Sequence, residues 1–554
     1  MRSSHLVVFV LGTACSDRSV SDGPLGASSA DAASSLDGGT GDGAIDGAVP
    51  PVGCAGPPEE GFDPASTYVA PTLVPTVIVT STDDRGPGSL REAVAKGGVV
   101  GFAGALAGKT IALLSTIEIG GSVTIDGSAA RGLTIDLAQN GGAFHFNGDS
   151  ATKLRFFSLR IVNGKTTQSG GAISINGGAI DLEIGGVVFE SNTAGEGGAI
   201  RVGYRSPKVF VHDSTFRRND GSIANSGFSG GAISVSGGNL HVARCRFDSN
   251  VGSTTGAVYA IHANPVIEDS VFVGNKSSGA SGSGAFFADG GGPGDYNNGD
   301  KTPGEITLRR SLFLRNRGAG DDGGAGELYA YPADTVTVEG CTFHDNESNP
   351  GRAGALFIHA DQAVNVLRTA FVGNHATSPG GAIWADGSAV YTFENDLFSE
   401  NVTDSDLGGA LRLNVADTAK LRIVSSTFAD NRAQNGNGAL WLAGMRDVRV
   451  KNSIFANNTA MGGAQQINFP VVSDGGNIEW PDPKTASTLP MAKVVDPLLL
   501  PVVLDQGAWV RPIAAGSPAV GAAVKPGPAV DQRGAVRDAM PDIGSYELGA
   551  TCTP

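Results

Sequence analysis

The strongest candidate for a catalytic centre is the adjacent pair of carboxylates Asp321 and Asp322. Hydrolysis of a glycosidic bond needs two carboxyl groups that flank the bond, roughly 5–10 Å apart. Elimination needs a base with support from a cation. Neighbouring residues of a strand point to opposite faces, and no set of histidines or arginines completes a site around this pair. We therefore predict no catalytic residues.

The side chains that suit metal ions follow no metal-site spacing. The histidines are scattered, and we expect surface or turn positions for them rather than ligand positions: His5, His145, His212, His241, His262, His344, His359 and His375. Oxygen-bearing side chains gather among glycines at Asp295, Asn297, Asn298 and Asp300, a composition that suits calcium. Their order misses the EF-hand register by one residue, so a solvated loop is the favoured interpretation. We predict no cofactor and keep calcium near Asp295 and Asp300 as the weaker alternative.

Two short motifs recur through the middle of the chain. The first, Phe-x-x-Asn, has ten copies, which begin at Phe189, Phe216, Phe247, Phe272, Phe313, Phe343, Phe371, Phe398, Phe428 and Phe455. The second, Gly-Gly-Ala-Ile or a variant, is found at 170–173, 197–200, 230–233, 380–383 and 408–411. Successive copies of the first motif stand about 30 residues apart, and a fixed period in this range indicates a solenoid or a propeller.

The residues within the period predict an all-β fold, a right-handed parallel β-helix. Short alternating runs such as Val336–Val338 are typical of strands with one buried face. Glycine pairs allow sharp corners between strands. Stacked coils bring identical positions together, so phenylalanine should stack inside and asparagine should form an amide ladder at a turn. A propeller blade needs about 40–45 residues, which excludes that fold.

One column of the repeat carries an unusual set of side chains. The residue after the isoleucine of the second motif should face outward, because side chains alternate along a strand. Reading this position coil by coil gives Ser174, Arg201, Ser234, Tyr259, Phe287, Tyr329, Phe357, Trp384, Arg412, Trp441 and Gln466. Only 6% of the chain is aromatic, yet this column holds two of its four tryptophans. The candidate ligand-binding residues are Tyr259, Phe287, Tyr329, Phe357, Trp384, Arg412 and Trp441.

Two interpretations of this aromatic stripe stay open. An exposed stripe would stack against a glycan or bind a hydrophobic partner, because large exposed apolar patches usually mark binding sites. A stripe covered by corner loops, including the long insert at 276–304, would only stabilise the stack of coils.

The N-terminus indicates export and a tether. Met1 and Arg2 precede the apolar run from Leu6 to Leu11, and small residues lead to Cys15, a pattern typical of a secretory signal over 1–15. The position of Cys15 resembles a bacterial lipoprotein signal, in which the cysteine is acylated. Residues 16–66 are rich in serine, alanine, aspartate and glycine, so we predict a disordered tether.

The remaining boundaries follow from the repeat. We predict an N-terminal cap and first coils at 67–150, repeat coils at 151–470, and C-terminal coils and a cap at 471–554. Ser89–Glu92 reads as a capping box that begins a short helix over the first coil. Cys245 and Cys341 share one column and should be small buried residues. Cys54 and Cys552 flank opposite ends of the body, so we expect no disulfide between them unless the tether folds back.

Several motifs resemble known bacterial surface proteins. The two repeat motifs are similar to those of chlamydial polymorphic outer-membrane proteins. Residues 76–93 resemble the CSLREA segment, with Gly88 in place of its cysteine. The pieces at 516–522, 531–534 and 542–547 resemble choice-of-anchor Q proteins. The resemblance covers nearly everything after the tether and implies a pectin-lyase-like β-helix at the cell surface, as an outer-membrane lipoprotein or an extracellular protein. It implies no reaction.

Composition and resemblance together give the predicted function. The net charge of −16 makes nucleic acids and anionic membranes poor partners, since phosphate binding needs clustered lysine and arginine. We predict a monomer that contacts membrane only through the N-terminal lipid. It would be a non-enzymatic binding, adhesive or structural surface module, with a polysaccharide or a cell-surface protein as partner. The alternative is a polysaccharide lyase or glycoside hydrolase of the same fold.

Overall fold

The computed structural model describes residues 56–552, except 149–150, 178, 204–206, 224–228, 280–281, 293–302, 321, 406, 462–465 and 483–487. This part of the chain is a right-handed parallel β-helix of about 13 turns, which confirms the predicted fold. Its strands form four parallel sheets, which we name A to D. Sheet A has 15 strands, from Val77–Val79 to Val472–Ser473, and sheet B has 15, from Thr110–Ala112 to Lys493–Val494. Sheet D has 8 short strands, from Asp220–Gly221 to Arg432–Ala433.

Sheet C has 12 strands, and each copy of the Gly-Gly-Ala-Ile motif leads into one of them. They are Ile117–Ile119, Phe144–Asn147, Ile173–Asn176, Ile200–Val202, Ile233–Ser236, Val258–Ile261, Phe286–Asp289, Gly326–Tyr329, Leu356–Ala360, Ile383–Gly387, Leu411–Val415 and Leu440–Ala443. One coil passes through sheets C, A, B and D in turn, as in Leu356–Ala360, Ala363–Leu367, Ala370–Val372 and His375–Ala376.

The other elements within the described residues are few. They are the α-helices Pro64–Thr67 and Leu90–Lys96, the 3-10 turn Gly104–Leu106, and an antiparallel pair formed by Val503–Asp505 and Ala508–Val510. None of the helices in the described ranges is long and apolar enough to cross a membrane.

The repeat phenylalanines form one continuous stack inside sheet B. From Phe189 to Phe455, successive ring centroids lie 4.6–4.9 Å apart with planes within 12° of parallel. Every ring is fully buried. The ring spacing matches the ~4.8 Å between hydrogen-bonded strands, because in-register parallel pairing places identical side chains on one another. The predicted phenylalanine column is confirmed.

The repeat asparagines form the predicted ladder at the turn between sheets B and D. From Asn192 to Asn431, each Nδ2 donates a hydrogen bond to Oδ1 of the next asparagine at 2.8–3.0 Å. Each Nδ2 also donates to a backbone carbonyl of the preceding coil, as Asn219 does to Phe189. The ladder ends where Asn458 Nδ2 donates to Gln466 Oε1 at 2.7 Å. These buried amides are therefore hydrogen-bonded on both sides, which offsets their desolvation.

The helix Leu90–Lys96 covers the first coil as predicted. Ser89 Oγ accepts a hydrogen bond from the Glu92 backbone N–H at 3.2 Å, and Glu92 Oε2 accepts one from the Gly88 N–H at 2.7 Å. This is the expected capping box, except that Glu92 accepts its hydrogen bond from Gly88, the residue before the N-cap Ser89. Gly97 adopts a positive φ of 69° directly after the helix and ends it.

The segment before the first coil lies against the solenoid. Residues 56–66 were expected in the tether, but Phe62 packs on a group of outward side chains of sheet B: Val271, Val273, Leu312 and Leu314. The Tyr68 ring stands edge-on to His212 with centroids 5.7 Å apart. Glu60 pairs with Arg315. We name residues 56–68 the N-terminal strap.

The C-terminal residues also return along sheet B. Ile478–Trp480 and Lys493–Val494 continue the coils, as expected for 471–554. The chain then folds back, so that the Trp509 ring lies 4.7 Å from the His344 ring and Arg537 Nη2 donates to Asn395 Oδ1 at 2.9 Å. The outer face of sheet B is therefore covered by both ends of the described chain rather than by solvent alone.

The cysteines fall into two groups. Cys245 and Cys341 are free and buried, which confirms their expected place in a column of small residues, and burial raises the pKa of each thiol to about 12. Cys552 is disulfide-bonded. Cys54 lies outside the described residues, and Gly56, two residues later, packs directly on Gly507.

Candidate functional site on the outer face of sheet C

The outer face of sheet C carries two columns of outward side chains. The first column contains Ser174, Arg201, Ser234, Tyr259, Phe287, Glu327, Phe357, Trp384, Arg412 and Trp441. The second column, two residues later on each strand, contains Asp289, Tyr329, His359, Asp386 and Asn414. The first column follows the predicted stripe with two exceptions.

Tyr329 does not lie in the stripe. The strand Gly326–Tyr329 pairs Glu327 with Phe287 on one side and with Phe357 on the other. The motif in this coil reads Gly-Gly-Ala-Gly at 323–326, so Gly326 takes the place of the isoleucine and the outward residue after it is Glu327. Tyr329 therefore belongs to the second column.

Gln466 is the other exception. Ile467 pairs with Leu440, so it faces inward. Gln466, one residue earlier, is buried and terminates the asparagine ladder.

The stripe is a covered ladder over much of its length. Tyr259, Phe287, Phe357 and Trp384 are only 3–9% exposed. Tyr259 stacks on Phe287 with centroids 4.9 Å apart, and Phe357 stacks on Trp384 at 5.0 Å. Of the two open interpretations, the covered ladder therefore applies to these four residues, whereas Tyr329, Arg412 and Trp441 remain partly exposed.

The second column offers partly exposed polar groups beside this ladder. His359 Nδ1 lies 2.5 Å from Asp386 Oδ1, and this hydrogen bond raises the pKa of the imidazole. Tyr331 donates a hydrogen bond to Asp289 Oδ1 at 3.0 Å. The Tyr329 ring lies 6.0 Å from that of His359. A tyrosine, a histidine, two carboxylates and an amide thus follow one another along the face.

Glu327 is the most perturbed acid of this face. Its side chain is 6% exposed and shares a hydrogen bond with Tyr329. Burial, reinforced by the charge of Asp322, raises the pKa of Glu327 to about 8. The carboxyl group is therefore mostly protonated at neutral pH. No sequence pattern marks this group apart from the missing isoleucine at position 326.

Two arginines lie against the rings. Arg352 places its guanidinium carbon 4.2 Å from the Trp384 ring and 5.1 Å from the Phe357 ring, and it pairs with Asp322 at 2.7 Å. Arg352 thus covers the middle of the ladder. Arg412 stacks on Trp441, with 3.4 Å between the guanidinium carbon and the ring centroid. Burial lowers the pKa of Arg412 to about 10, so it stays charged at neutral pH.

The same face continues as a cleft at its N-terminal end, with a volume of about 490 Å³. Its polar lining includes Glu118, His145 and Asn176, and Glu118 Oε2 lies 2.7 Å from His145 Nδ1. Sequence reasoning missed this cleft because most of the residues that line it precede the first copy of the second motif, at 170–173.

The other sequence candidates give no assembled site. Asp322 is buried in its pair with Arg352, while Asp321 lies outside the described residues. Cys15, and Asp295 and Asp300 of the calcium alternative, also lie outside them. Three histidines of sheets A, C and D each lie beside one carboxylate, and His212 lies beside two, Asp213 and Glu183; the three are His241, His359 and His375. Within the described ranges, no group of three or more metal-ligating side chains is found.

Comparison with known proteins identified no relative of this chain. No protein-family model matches the chain, and no significant match is found among the curated proteins.

Proposed function

We propose that this protein is an exported β-helix of the bacterial surface that binds a glycan along the outer face of sheet C. The observation that carries the proposal is the partly exposed second column, Asp289 to Asn414, beside the aromatic ladder. Rings stack on the faces of sugars, and carboxylate and amide groups bind sugar hydroxyls. The column repeats at about 4.8 Å per coil, so it offers an extended chain several evenly spaced polar contacts.

The other sheets support this choice of face. The outer side of sheet B is covered by the N-terminal strap and the C-terminal residues. On sheet A, outward charges neutralise one another in pairs such as Arg155–Glu183 and Arg422–Asp447. Sheet C combines aromatic rings with partly exposed polar groups, which favours ligand binding there.

The proposal of surface location rests on the sequence. The signal-like segment before Cys15 supports export, and the resemblance to choice-of-anchor Q proteins supports display at the cell surface. The four buried rings of the ladder, Tyr259, Phe287, Phe357 and Trp384, support a structural role. The protein would then combine a rigid scaffold with a binding surface along the second column.

The test is binding of the full chain to an array of polysaccharides and cell-wall fragments. The double variant Tyr329→Ala/His359→Ala removes two side chains of the second column, and Phe210→Ala removes a partly exposed ring from sheet A as the matched control. We expect the double variant to lose at least about tenfold in affinity, roughly 1.4 kcal/mol, and the control to bind like wild type. Equal binding by all three proteins would exclude this face as the binding site. No binding by wild type would also exclude it.

Glycan cleavage is a second candidate, favoured by Glu327. A protonated carboxyl and a carboxylate are the two groups that glycoside hydrolysis requires. Asp289 supplies the second group in the adjacent coil, with about 8 Å between the Cα atoms by strand geometry. The check is release of reducing ends from the polysaccharide that the array identifies. Release that Glu327→Gln abolishes would establish cleavage, whereas intact polysaccharide would leave binding alone.

A further inference from the structure

Arg412 carries a positive charge that the described fold does not neutralise. It lies between Trp384 and Trp441 in the first column, as the Cα partner of both. No carboxylate of the described residues pairs with it. Its Nε and Nη1 atoms are buried, and neither has a hydrogen-bond partner in the part of the chain that the structure describes.

The other cations of this face differ from Arg412. Arg201 Nε lies 2.8 Å from Glu196 Oε2, and Arg352 Nη2 lies 2.7 Å from Asp322 Oδ2. His359 has Asp386 as its partner. Charges that lose contact with water are normally paired. Among the arginines of this face that the structure describes, Arg412 thus differs from Arg201 and Arg352 in lacking a carboxylate partner, in a chain whose net charge is −16.

We infer that Arg412, Trp384 and Trp441 form a subsite for an acidic sugar residue, whose carboxylate or sulfate group binds the guanidinium. The inference rests on the proposed glycan-binding function and names the ligand class of that face. A guanidinium donates charge-assisted hydrogen bonds to a carboxylate or a sulfate, and an aromatic ring stacks on the sugar face.

The subsite is open to solvent on one side and is supported by the preceding coil. Arg412 and Trp441 are partly exposed, so a ligand in solvent reaches the exposed part of each side chain, although Nε and Nη1 of Arg412 are buried. Trp384 is 6% exposed and holds the column rigid from the preceding coil. Asn414 is exposed two residues along the same strand and offers its amide to sugar hydroxyls. A charge beside the partly exposed ring of Trp441 suits a sugar acid better than an extended acidic peptide, which has no sugar face for the ring to stack on.

The experiment is calorimetric titration of the full chain with matched oligosaccharides. The probes are an oligoglucuronate, the neutral oligoglucose obtained by reducing its carboxyl groups, and a sulfated oligoglucose. An oligoglutamate peptide tests charge without sugar. Arg412→Gln removes the charge, Arg412→Lys keeps the charge without the planar fork, and Arg449→Gln removes an arginine from sheet A as the matched control.

We expect wild type to bind an acidic oligosaccharide at least about tenfold more tightly than the neutral one, as charged hydrogen bonds imply. Arg412→Gln should abolish this preference and keep neutral binding, Arg412→Lys should keep part of it, and Arg449→Gln all of it. The tighter of the two acidic probes identifies carboxylate or sulfate as the group.

Equal affinity for acidic and neutral sugars would overturn the inference and leave glycan binding standing. No binding to any sugar would overturn both. Equally tight binding of oligoglutamate would overturn the assignment to a sugar.

Discussion

Glu327 shares a hydrogen bond with Tyr329 on the outer face of sheet C, in the position that aromatic rings occupy in the coils on either side. The acid is buried between Phe287 and Phe357, so its ionised form is costly. The column is therefore a ladder of rings interrupted by one protonated acid.

The first prediction concerns this acid and pH. The folded-state pKa of Glu327 is about 8, against an ordinary value of 4.5. Below pH 4.5 the carboxyl is protonated in both states. Between these values the unfolded chain loses its proton and the folded chain keeps it, so folding stability falls as pH rises. We expect Glu327→Gln, which stays neutral, to gain on the order of 4 kcal/mol over wild type between pH 4.5 and pH 9.

The measurement is denaturant unfolding of both proteins across that pH range. Glu59→Gln, at an exposed glutamate, is the control and should track wild type at every pH. A constant difference between Glu327→Gln and wild type would contradict the raised pKa.

The second prediction concerns the asparagine ladder. Asn316 Nδ2 donates to Phe272 O and to Asn346 Oδ1, and Asn316 Oδ1 accepts from the side chain of Asn275. Asn316→Ala leaves these buried groups unpaired, so we expect a loss of about 3–4 kcal/mol in the free energy of unfolding. Asn414→Ala, at an exposed asparagine, should change it by less than about 0.5 kcal/mol. Similar losses in the two variants would argue against the ladder as a source of stability.

The third prediction concerns the N-terminal strap. Phe62→Ser removes the ring that packs on sheet B, so the strap should detach while the coils stay folded. Hydrogen exchange of residues 56–68 should rise, and the midpoint of thermal unfolding should stay near that of wild type. Val69→Ser is the control, because Val69 is 83% exposed and should leave exchange unchanged. Unaltered exchange in Phe62→Ser would show that other contacts hold the strap.

The fourth prediction concerns the C-terminal residues. Arg537 Nη1 lies 2.9 Å from Glu547 Oε2, and both side chains are at most 3% exposed. Glu547→Ala leaves the guanidinium buried without its carboxylate, which costs about 3–5 kcal/mol. Hydrogen exchange over 531–548 should rise well before the coils unfold. Asp538→Ala, at an exposed carboxylate that accepts a hydrogen bond from the Met540 backbone N–H, should raise exchange at Met540 and leave the rest of this region unchanged.

The fold was predictable wherever the sequence repeats. Phe313 and Asn316 belong to a motif that recurs about every 30 residues on average, so in-register stacking assigns them to columns even though the coils differ in length. The candidate site was predictable only in part. The predicted members of the first column were correct from Tyr259 to Trp441 except in one coil. There Gly326 replaces the isoleucine of the motif, so Tyr329 was predicted where the structure has Glu327. Exposure was not predictable, because the side chain of Arg352 from a corner loop covers the rings.

The sequence by itself determined the parallel β-helix, its phenylalanine stack, its asparagine ladder and its capping helix, because each depends on neighbours one period away or closer. Only the tertiary structure decided which faces stay open. The contacts that close sheet B join residues far apart in the chain, such as Arg537 with Asn395 and Glu60 with Arg315, 142 and 255 residues apart. Such contacts follow from shape and charge complementarity between a non-repeating segment and the assembled coils, and that surface exists only once the coils have stacked.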